Sequence, residues 1–364
     1  MASTVGDLSF FSQKVVEWYN SNKRDLPWRG TKDPYAIWVS EIILQQTRVA
    51  QGYDYFVRFM RRFPDLASLA SASEDEVLAH WQGLGYYSRA RNLHKAAVSM
   101  QGVFPATYEG VRALAGVGDY TAAAICSLAY DMPYAVVDGN VFRVLSRYFG
   151  IDVPIDTVAG KRYFAALAQR LIDVRRPALY NQAIMDFGAL QCTPHAPACA
   201  SCTLADGCVA KNGGTVDALP MKSHKTVKTT RYFSYLLAWI GSCICLHKRT
   251  ENDIWKNLYE FPLIETCQEI DLAGVISSAV SNGMLVPEET PTVRLLQRGV
   301  KHVLSHQVIY ANFYELALPG KSRSFGAFLQ VEHGVLSGYA MPRLLTAFLD
   351  RAGGLKGSPL EQCP

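Results

Sequence analysis

The apolar residues of this 364-residue chain change their period once, and that change divides the chain into two parts. From Leu8 to about Cys208 they recur at three- and four-residue spacing between turns marked by Gly, Pro and Asp, which predicts helices throughout. Beyond that point Arg231–Trp239, Cys243–Lys248 and Val300–Leu316 alternate or run apolar in the manner of strands. We therefore expect an all-α domain followed by an α+β domain.

A basic stretch containing glycines and a proline separates the two patterns. It carries Lys211, Lys222 and Lys228, with Gly213-Gly214 and Pro220 between them. Such a composition is typical of a linker. We therefore divide the chain into a helical domain at 1–210, a linker at 211–230, an α+β domain at 231–350 and a C-terminal tail at 351–364.

The composition argues against bulk disorder and against a membrane-spanning protein. Hydrophobic residues make up 49% of the chain and charged residues 19%, as in an ordinary globular protein. The longest uncharged apolar stretch, Tyr232 to Leu246, is shorter than the roughly 18 residues that a spanning helix needs. No basic segment precedes an apolar run at the N-terminus, so we expect a cytoplasmic protein without a membrane partner. The net charge of +4 permits a polyanionic partner.

Four cysteines, Cys192, Cys199, Cys202 and Cys208, form a Cys-x6-Cys-x2-Cys-x5-Cys array within seventeen residues. In a reducing compartment this spacing indicates a metal site rather than disulfides. The segment has little apolar content of its own, so a bound metal would supply its folding free energy. A structural zinc and a [4Fe–4S] cluster both use four thiolates, and the spacing alone does not choose between them.

A glycine-rich turn within Leu114–Ala122 separates two helical patterns. Its glycines, Gly116 and Gly118, permit a tight turn whose backbone N–H groups point outward at the start of the next helix. Such a turn binds a phosphate through amide donors and the positive end of the helix, without any side chain. The alternative is an ordinary corner between two helices.

Asp33-Pro34 predicts the start of a helix that runs to about Phe56, because Asp caps free N–H groups and Pro supplies the first helical φ. The neighbours of Glu41 at helical spacing are apolar. Loss of water there raises the pKa of a carboxyl and makes it a general acid near neutral pH. The alternative places Glu41 on the solvated edge of the apolar stripe. Gln46 and Thr47 continue the helix with polar groups that favour a polar ligand.

A second acid, Asp138, follows two valines and precedes Gly139 and Asn140 at the start of another predicted helix. An Asp in this position is typical of an N-cap. It is equally suited to be the ionised partner of Glu41, since paired carboxyls cleave glycosidic bonds. Both interpretations stay open from the residues alone.

Together these segments closely resemble the MutY family of adenine-specific mismatch DNA glycosylases, over nearly the whole chain. Besides the segments above, the resemblance is carried by Leu26-Pro27-Trp28-Arg29, Gly83-Leu84-Gly85-Tyr86-Tyr87 and Arg91-Asn92-Leu93. It implies a multidomain protein with an all-α helix-hairpin-helix DNA glycosylase domain, whose cysteines at 192–208 hold one [4Fe–4S] cluster, and a Nudix-like α+β domain. It also implies a monomeric, nucleoid-associated bacterial enzyme acting on double-stranded DNA with A·8-oxoguanine or A·G mispairs.

The same resemblance implies roles for individual residues. Glu41 would protonate the adenine and Asp138 would stabilise the sugar cation, while Tyr120 and Asn140 would assist at the same site. The residues expected to contact DNA are Arg29 and Gln182 at the flipped adenine nucleotide, Gln46 and Tyr86 in the base stack, and Leu44, Thr47, Gly116 and Gly118.

The C-terminal segment resembles the domain by which this family reads 8-oxoguanine, which is similar in fold to Nudix hydrolases. The residues that match its W-x2-L-x-E-F-P signature are Trp255, Leu258, Glu260, Phe261 and Pro262. Leu304-Ser305-His306 resembles its lesion-contacting loop, so Ser305 and His306 are expected to contact 8-oxoguanine. The sequence contains no G-x5-E-x7-R-E-x2-E-E run, and we therefore expect binding without pyrophosphate hydrolysis.

Two rival functions remain, an endonuclease III-type glycosylase with lyase activity and a non-catalytic Fe–S DNA-binding protein. The lyase reaction needs an amine nucleophile, whereas this chain has Tyr120 where that family carries Lys. A non-catalytic protein has no need of both Glu41 and Asp138. The chain also departs from the family at the glycine turn, where Ala115 replaces a frequent Pro and Asp119 replaces a basic or neutral residue. A carboxylate beside a bound phosphate should weaken that contact.

Overall fold

Two groups of residues pack separately in the computed structural model, which describes residues 5–223 and 228–351. The first unit is Met1–Ala72 with Asn92–Lys225, and the second is Ser73–Arg91 with Thr226–Pro364. Residues 224–227 of the expected linker and 352–364 of the expected tail lie outside the described residues.

Helices account for all the regular structure of residues 5–223, as the spacing of the apolar residues predicts, and the expected all-α fold is confirmed for them. In chain order they are α1 (Val5–Asn22), α2 (Pro34–Leu44), α3 (Val49–Arg62), α4 (Leu66–Ser71), α5 (Glu74–Trp81), α6 (Ser88–Ser99), α7 (Tyr108–Arg112), α8 (Asp119–Tyr130), α9 (Gly139–Phe149), α10 (Val158–Leu171), α11 (Pro177–Asp186) and α12 (Val209–Asn212). A π-helical turn, Phe187–Gln191, follows α11 directly.

The helix that begins at Asp33-Pro34 is shorter than expected. It ends at Leu44, and α3 begins after a short loop at Val49, so the expectation of one helix to Phe56 is wrong. The break occurs at Gln46, whose φ of +56° is left-handed and incompatible with a continuous helix. No glycine or proline marks it, which is why the sequence pattern runs through it. The loop leaves the Gln46 side chain exposed.

The core of the first unit is built around α2, which is buried on nearly its whole surface. It packs against α3 and α8, and α8 in turn packs against α7 and α11. Trp38 on α2 and Ile125 on α8 are fully buried in these contacts. The segments that carry the two candidate acids, α2 and the start of α9, therefore belong to a closely packed region.

The second unit contains one seven-stranded sheet. Its strands are β1 (Thr229–Ile240), β2 (Cys243–Lys248), β3 (Tyr259–Glu260), β4 (Leu263–Thr266), β5 (Thr292–Val303), β6 (Gln307–Leu318) and β7 (Leu329–Glu332), and its later helices are α13 (Leu272–Ser281) and α14 (Arg343–Arg351). The main strand order is β3-β2-β1-β6-β5, with β4 paired to β1 and β7 to β2. The long strands β1 and β6 run parallel, from Thr229 opposite Gln307 to Ile240 opposite Leu318. This confirms the expected α+β fold.

The expected strand Val300–Leu316 is two strands in the structure. The first ends at Val303 and the second begins at Gln307, and the two pair antiparallel. Leu304 donates its N–H to the Gln307 carbonyl at 2.8 Å, which closes a tight turn around Ser305 and His306.

The segment Ser73–Arg91 groups with the C-terminal residues because its polar side chains bind there. Asp75 at the start of α5 forms an ion pair with Lys248, N to O 2.6 Å, and accepts a hydrogen bond from the Tyr259 hydroxyl. Arg91 donates to the carbonyl of Lys256 at 2.6 Å. The helical pattern of these residues predicts that they belong to the helical domain, since nothing in that pattern indicates their distant partners.

Among the described residues, no helix has the length and apolar character needed to cross a membrane.

Replacing Phe348 with Ala tests the packing of α14 on the sheet. The Phe348 ring is 4% exposed and stacks on Phe313 with ring centroids 3.9 Å apart. Loss of a buried phenyl ring costs about 3–5 kcal/mol of unfolding free energy, and we expect this loss in chemical denaturation of the whole chain. Val335→Ala, at a side chain that is 53% exposed, is the control and should change little. Equal effects of the two substitutions would contradict the packing described here.

Candidate active site

Glu41 lies on the buried face of α2. The Asp33 carboxylate caps that helix by accepting from the backbone N–H of Tyr35 at 3.0 Å and of Ala36 at 3.3 Å. Glu41 is 7% exposed, so it does not lie on the solvated edge of the stripe. Burial raises the pKa of Glu41 to about 7, and the nearby negative charge of Asp138 acts in the same direction.

Two groups partly offset this rise by favouring the charged form of Glu41. Tyr120 forms a hydrogen bond with the Glu41 carboxyl, and the positive charge of Arg29 lowers its pKa. Burial raises the pKa of the Tyr120 hydroxyl well above its usual value, so this residue stays neutral. The result is a carboxyl that holds a proton on a substantial fraction of molecules at neutral pH.

Asp138 is both the N-cap of α9 and a partner of Glu41. Its carboxylate accepts from the Val141 N–H and from the Asn140 amide, both at 2.8 Å. Burial raises the pKa of Asp138 above its usual value, while these hydrogen bonds oppose the rise by favouring the ionised form. The two interpretations of this residue that the sequence leaves open are therefore compatible.

Arg143 connects this carboxylate to the cysteine loop. Its Nη2 donates to Asn140 Oδ1 at 2.8 Å, and its Nε donates to the backbone carbonyl of Cys192 at 2.7 Å. Sequence reasoning missed this residue. The available signal was the helical spacing of Asn140, Arg143 and Arg147 along one face of α9, where the structure buries Arg143 to 8% exposure.

Arg29 and Gln182 meet through a residue that the sequence analysis did not select. The Tyr19 hydroxyl donates to Gln182 Oε1 at 2.9 Å and receives Arg29 Nη1 at 3.4 Å. Arg29 is also ion-paired with the fully buried Asp186, Nη2 to Oδ1 2.7 Å. The negative charge of Glu41 acts on the Arg29 guanidinium, so Arg29 lies near the candidate acids. Gln182 is joined to Arg29 through Tyr19 and belongs to the same neighbourhood.

The four cysteines line a single cavity. The guanidinium of Arg147 lies beside it, with Nη1 3.5 Å from Cys192 Sγ and 2.7 Å from the Thr193 carbonyl. Burial raises the pKa of the Cys202 thiol to about 11, so a metal must displace its proton on binding. Within residues 5–223 and 228–351, no three His, Cys, Asp or Glu side chains are spaced to hold a single metal ion.

The glycine turn, residues 114–119 and hereafter the hairpin, joins α7 to α8. Gly116 has a φ of +78°, and a Cβ there would lie 2.8 Å from Cβ of Asn92, so both backbone and packing require glycine. Gly118 is the N-cap of α8 with a φ of −93°, and nothing lies within 4 Å of where its Cβ would be. The fold therefore does not account for this second glycine.

Leu44 and Thr47 flank the loop that ends α2. Both side chains are half-buried, and the Thr47 N–H donates to the Leu44 carbonyl at 3.2 Å. The Gln46 side chain between them is exposed, as is that of Arg48 at the end of the loop.

In the second unit, Tyr86 and Ser305 come together across 219 residues of sequence, with a hydrogen bond of 3.3 Å between their hydroxyls. Tyr86 is 43% exposed, and its φ of +47° is unusual for a bulky residue. Both residues line a pocket that also includes His306 and Trp255. Three residues selected from the sequence, Tyr86, Ser305 and His306, thus share one surface of the second unit.

The W-x2-L-x-E-F-P signature is largely buried. Leu258 and Phe261 are fully buried, and Glu260 is 2% exposed. Burial raises the pKa of Glu260 to about 7 although Arg249 pairs with it, Nη1 to Oε1 2.8 Å. This glutamate is tied to the fold and is not available to a solvent-exposed metal.

Comparisons with known proteins cover both units. Residues 39–169 match the HhH-GPD superfamily of base excision DNA repair proteins, and residues 235–351 match the NUDIX domain. The adenine DNA glycosylase of Buchnera aphidicola subsp. Acyrthosiphon pisum is 35% identical over 264 residues, which are 71% of this chain and 75% of that protein. The one of Buchnera aphidicola subsp. Baizongia pistaciae is 33% identical over 313 residues, 83% of this chain and 84% of that protein. The human adenine DNA glycosylase is 42% identical over 220 residues, 57% of this chain and 40% of that protein.

Solved structures match the helical part. A thermostable thymine-DNA glycosylase aligns with a TM-score of 0.53 and 28% identity, covering 57% of this chain and 97% of that one. A non-covalent endonuclease III–DNA complex aligns with a TM-score of 0.51 at 18% identity over 58% of this chain and 99% of that one, a likeness of fold alone. Since the two Buchnera relatives are 33–35% identical over 75–84% of their length and both domains are matched, the chain belongs to the adenine DNA glycosylase family, as its motifs predict.

Proposed function

We propose that this adenine DNA glycosylase of base excision repair hydrolyses the N-glycosidic bond of adenine paired with 8-oxoguanine or guanine, without cutting the DNA strand. The observation that carries the proposal is the pair of carboxyls on α2 and α9. Glu41 titrates near neutral pH beside Asp138, which keeps hydrogen bonds that favour its charge. Such a pair supplies an acid and a stabilising anion to one glycosidic bond.

Glu41 is the proton donor in this mechanism. Adenine is a poor leaving group as an anion, so cleavage needs a proton on the ring as the bond breaks. A general acid works best when its pKa lies near the working pH, and burial brings Glu41 to about 7. Tyr120 stays neutral and orients the Glu41 carboxyl through their hydrogen bond.

Asp138 stabilises the positive charge that develops on the sugar. The Val141 N–H and the Asn140 amide fix its carboxylate at two points, so the carboxylate does not have to reorient as the sugar cation forms. The positive groups acting on the two acids, Arg29 on Glu41 and Arg143 on Asp138, are guanidiniums, which do not form Schiff bases. This supports a monofunctional hydrolase over the endonuclease III-type lyase.

The adenine must leave the base stack before the acids can reach it, at a cost of a few kcal/mol that a mispair already reduces. We assign Gln46 and Tyr86, both exposed and both with left-handed backbones, to contacts with the stack. Arg29 and Gln182, joined through Tyr19, contact the flipped nucleotide, and the hairpin binds a backbone phosphate.

We assign Ser305 and His306 to recognition of 8-oxoguanine on the opposite strand. The excised adenine is undamaged, so specificity has to come from the lesion. The two residues occupy a tight turn between β5 and β6, where their polar side chains are exposed, and the Tyr86 hydroxyl lies beside Ser305.

We assign Cys192, Cys199, Cys202 and Cys208 to one [4Fe–4S] cluster. Four thiolates around one cavity are the donor set that a cluster needs, and family membership supports it. The bound group supplies the folding free energy of a loop with few apolar residues. Arg143 and Arg147 hold the loop's carbonyl groups, which ties its shape to α9.

Replacing Glu41 with Gln should preserve duplex binding and abolish most adenine excision. The amide has nearly the same shape but cannot donate the proton, and loss of a general acid costs about 10²–10⁴-fold in rate. Single-turnover release of adenine from an A·8-oxoguanine duplex measures it, with Glu17→Gln, an exposed residue of α1, as the control. In the wild type the rate should fall as the pH rises through about 7, because Glu41 must be protonated to act. Substantial excision by the variant at neutral pH would disprove the role of Glu41.

The double substitution Ser305→Ala with His306→Ala should weaken discrimination between A·8-oxoguanine and A·G duplexes by about 1–3 kcal/mol, the scale of lost contacts to a base edge. Single-turnover excision from a saturated A·G duplex should barely change. A melting curve separates this effect from destabilisation of the domain. Equal loss on both duplexes with an unchanged melting temperature would contradict lesion recognition.

The cluster assignment predicts a brown protein with about four irons and four sulfides per chain when it is purified without oxygen. Cys199→Ser should lower the iron content and the visible absorption, whereas Cys267→Ser, at an exposed cysteine elsewhere in the chain, should leave both unchanged. A colourless wild-type preparation containing only zinc would rule the cluster out.

A further inference from the structure

A charged pair lies against the hairpin and has no part in the mechanism above. Arg112 is the last residue of α7, and Asp119 is the first of α8. The Arg112 Nε donates to the Asp119 carboxylate, while Nη1 of the same guanidinium donates to the backbone carbonyl of Val117 at 2.9 Å. The Arg112 side chain therefore binds both Asp119, the residue that differs from the family pattern, and the backbone in the middle of the hairpin.

The hydrogen bond from Arg112 to the Val117 carbonyl sets the direction of the Gly118 N–H group. The Val117–Gly118 peptide is trans, since the one cis bond in the described residues is Leu219–Pro220. In a trans peptide the C=O and the following N–H point in opposite directions. With the carbonyl held toward Arg112 and the Val117 side chain buried, the N–H of Gly118 points away from Arg112.

Gly118 itself indicates that something approaches from that side. Its φ of −93° suits any residue, and an added Cβ would meet nothing within 4 Å, so neither backbone nor packing calls for glycine. No side chain caps α8 at Gly118, as is also true of α3 and α11. The first N–H groups of α8 are thus left uncovered, and the missing side chain gives an external acceptor access to them.

We propose that Arg112 is a positioning residue for phosphate binding, which aims the Gly118 N–H outward while Asp119 holds the guanidinium and cancels its charge. The inference rests on the proposed function, in which the hairpin binds a DNA phosphate. Asp119 then does not repel the phosphate as a lone carboxylate would. The hairpin binds through neutral amide donors, and the pair adds no net charge.

The decisive variant is Arg112→Met combined with Asp119→Asn, which removes the carbonyl anchor but leaves the net charge as it was. The number of phosphates neutralised by cations sets how steeply duplex affinity falls with salt. We therefore expect the double variant to keep the wild-type salt slope and to bind a duplex about 5-fold or more weakly. A pair that acts through charge alone predicts wild-type affinity in this variant, and that result would overturn the proposal.

The two single variants separate anchoring from charge. Asp119→Asn frees a guanidinium beside the phosphate and should steepen the salt slope by up to about 0.9. Arg112→Met leaves an unpaired carboxylate and should bind most weakly of the three. The side chains are 46% and 82% exposed, so the fold should survive, and melting curves check this. Lys14→Met with Glu17→Gln removes an exposed pair of α1 and serves as the matched control.

Gly118→Ala distinguishes failure of this inference from failure of the phosphate assignment. The fold has room for the added methyl group, but that group would stand in the way of a phosphate bound at the Gly118 N–H. Duplex binding should therefore weaken while the melting temperature stays the same. If Gly118→Ala binds as the wild type does, the hairpin is not a phosphate site and both proposals fall. If it binds weakly while the double variant matches the wild type, the phosphate assignment stands and the role of Arg112 is refuted.

Discussion

Two carboxyl groups held together away from water cannot both stay ionised without a large cost in free energy, and the helical unit is arranged around that constraint. Glu41 lies among apolar side chains of α2 and titrates near neutral pH, while Asp138 accepts hydrogen bonds from a backbone N–H and from Asn140. In the proposed mechanism these surroundings, rather than the residue types, make Glu41 the acid and Asp138 the anion. Packing of α2 against α3 and α8 maintains the burial on which this division depends.

A single helix, α9, links Asp138 to the cysteine loop. Asp138 caps its first turn, and Arg143 and Arg147 follow on successive turns of the same helix. Both guanidiniums donate to backbone carbonyls of the loop, and Arg143 also holds the side chain of Asn140. A chain of hydrogen bonds therefore runs from the Cys192 carbonyl through Arg143 and Asn140 to the Asp138 carboxylate. Under the proposed cluster assignment, a loop that loses its shape on losing the cluster would loosen Asn140, which donates to the Asp138 carboxylate.

The second unit has the sequence of a NUDIX domain, matched over residues 235–351. Its signature glutamate, Glu260, is buried and pairs with Arg249, whose Nε donates to the Ile254 carbonyl in the loop around Trp255. That loop shares a pocket with Tyr86 and with Ser305 at the β5–β6 turn. In the proposed function this surface binds the lesion on the opposite strand, because the excised adenine is itself undamaged.

The sequence by itself determined the division into a helical and a mixed part, the apolar surroundings of Glu41 and the position of Asp138 at a helix start, because these follow from spacing within one element. The short spacing of the four cysteines along the sequence also places them close together. The tertiary structure alone decided that Ser73–Arg91 groups with the C-terminal residues, that Tyr86 meets Ser305 across 219 positions, and that buried arginines hold the site together. The physical reason is that such partners depend on ion pairs and hydrogen bonds between distant segments. No local periodicity encodes contacts of that kind.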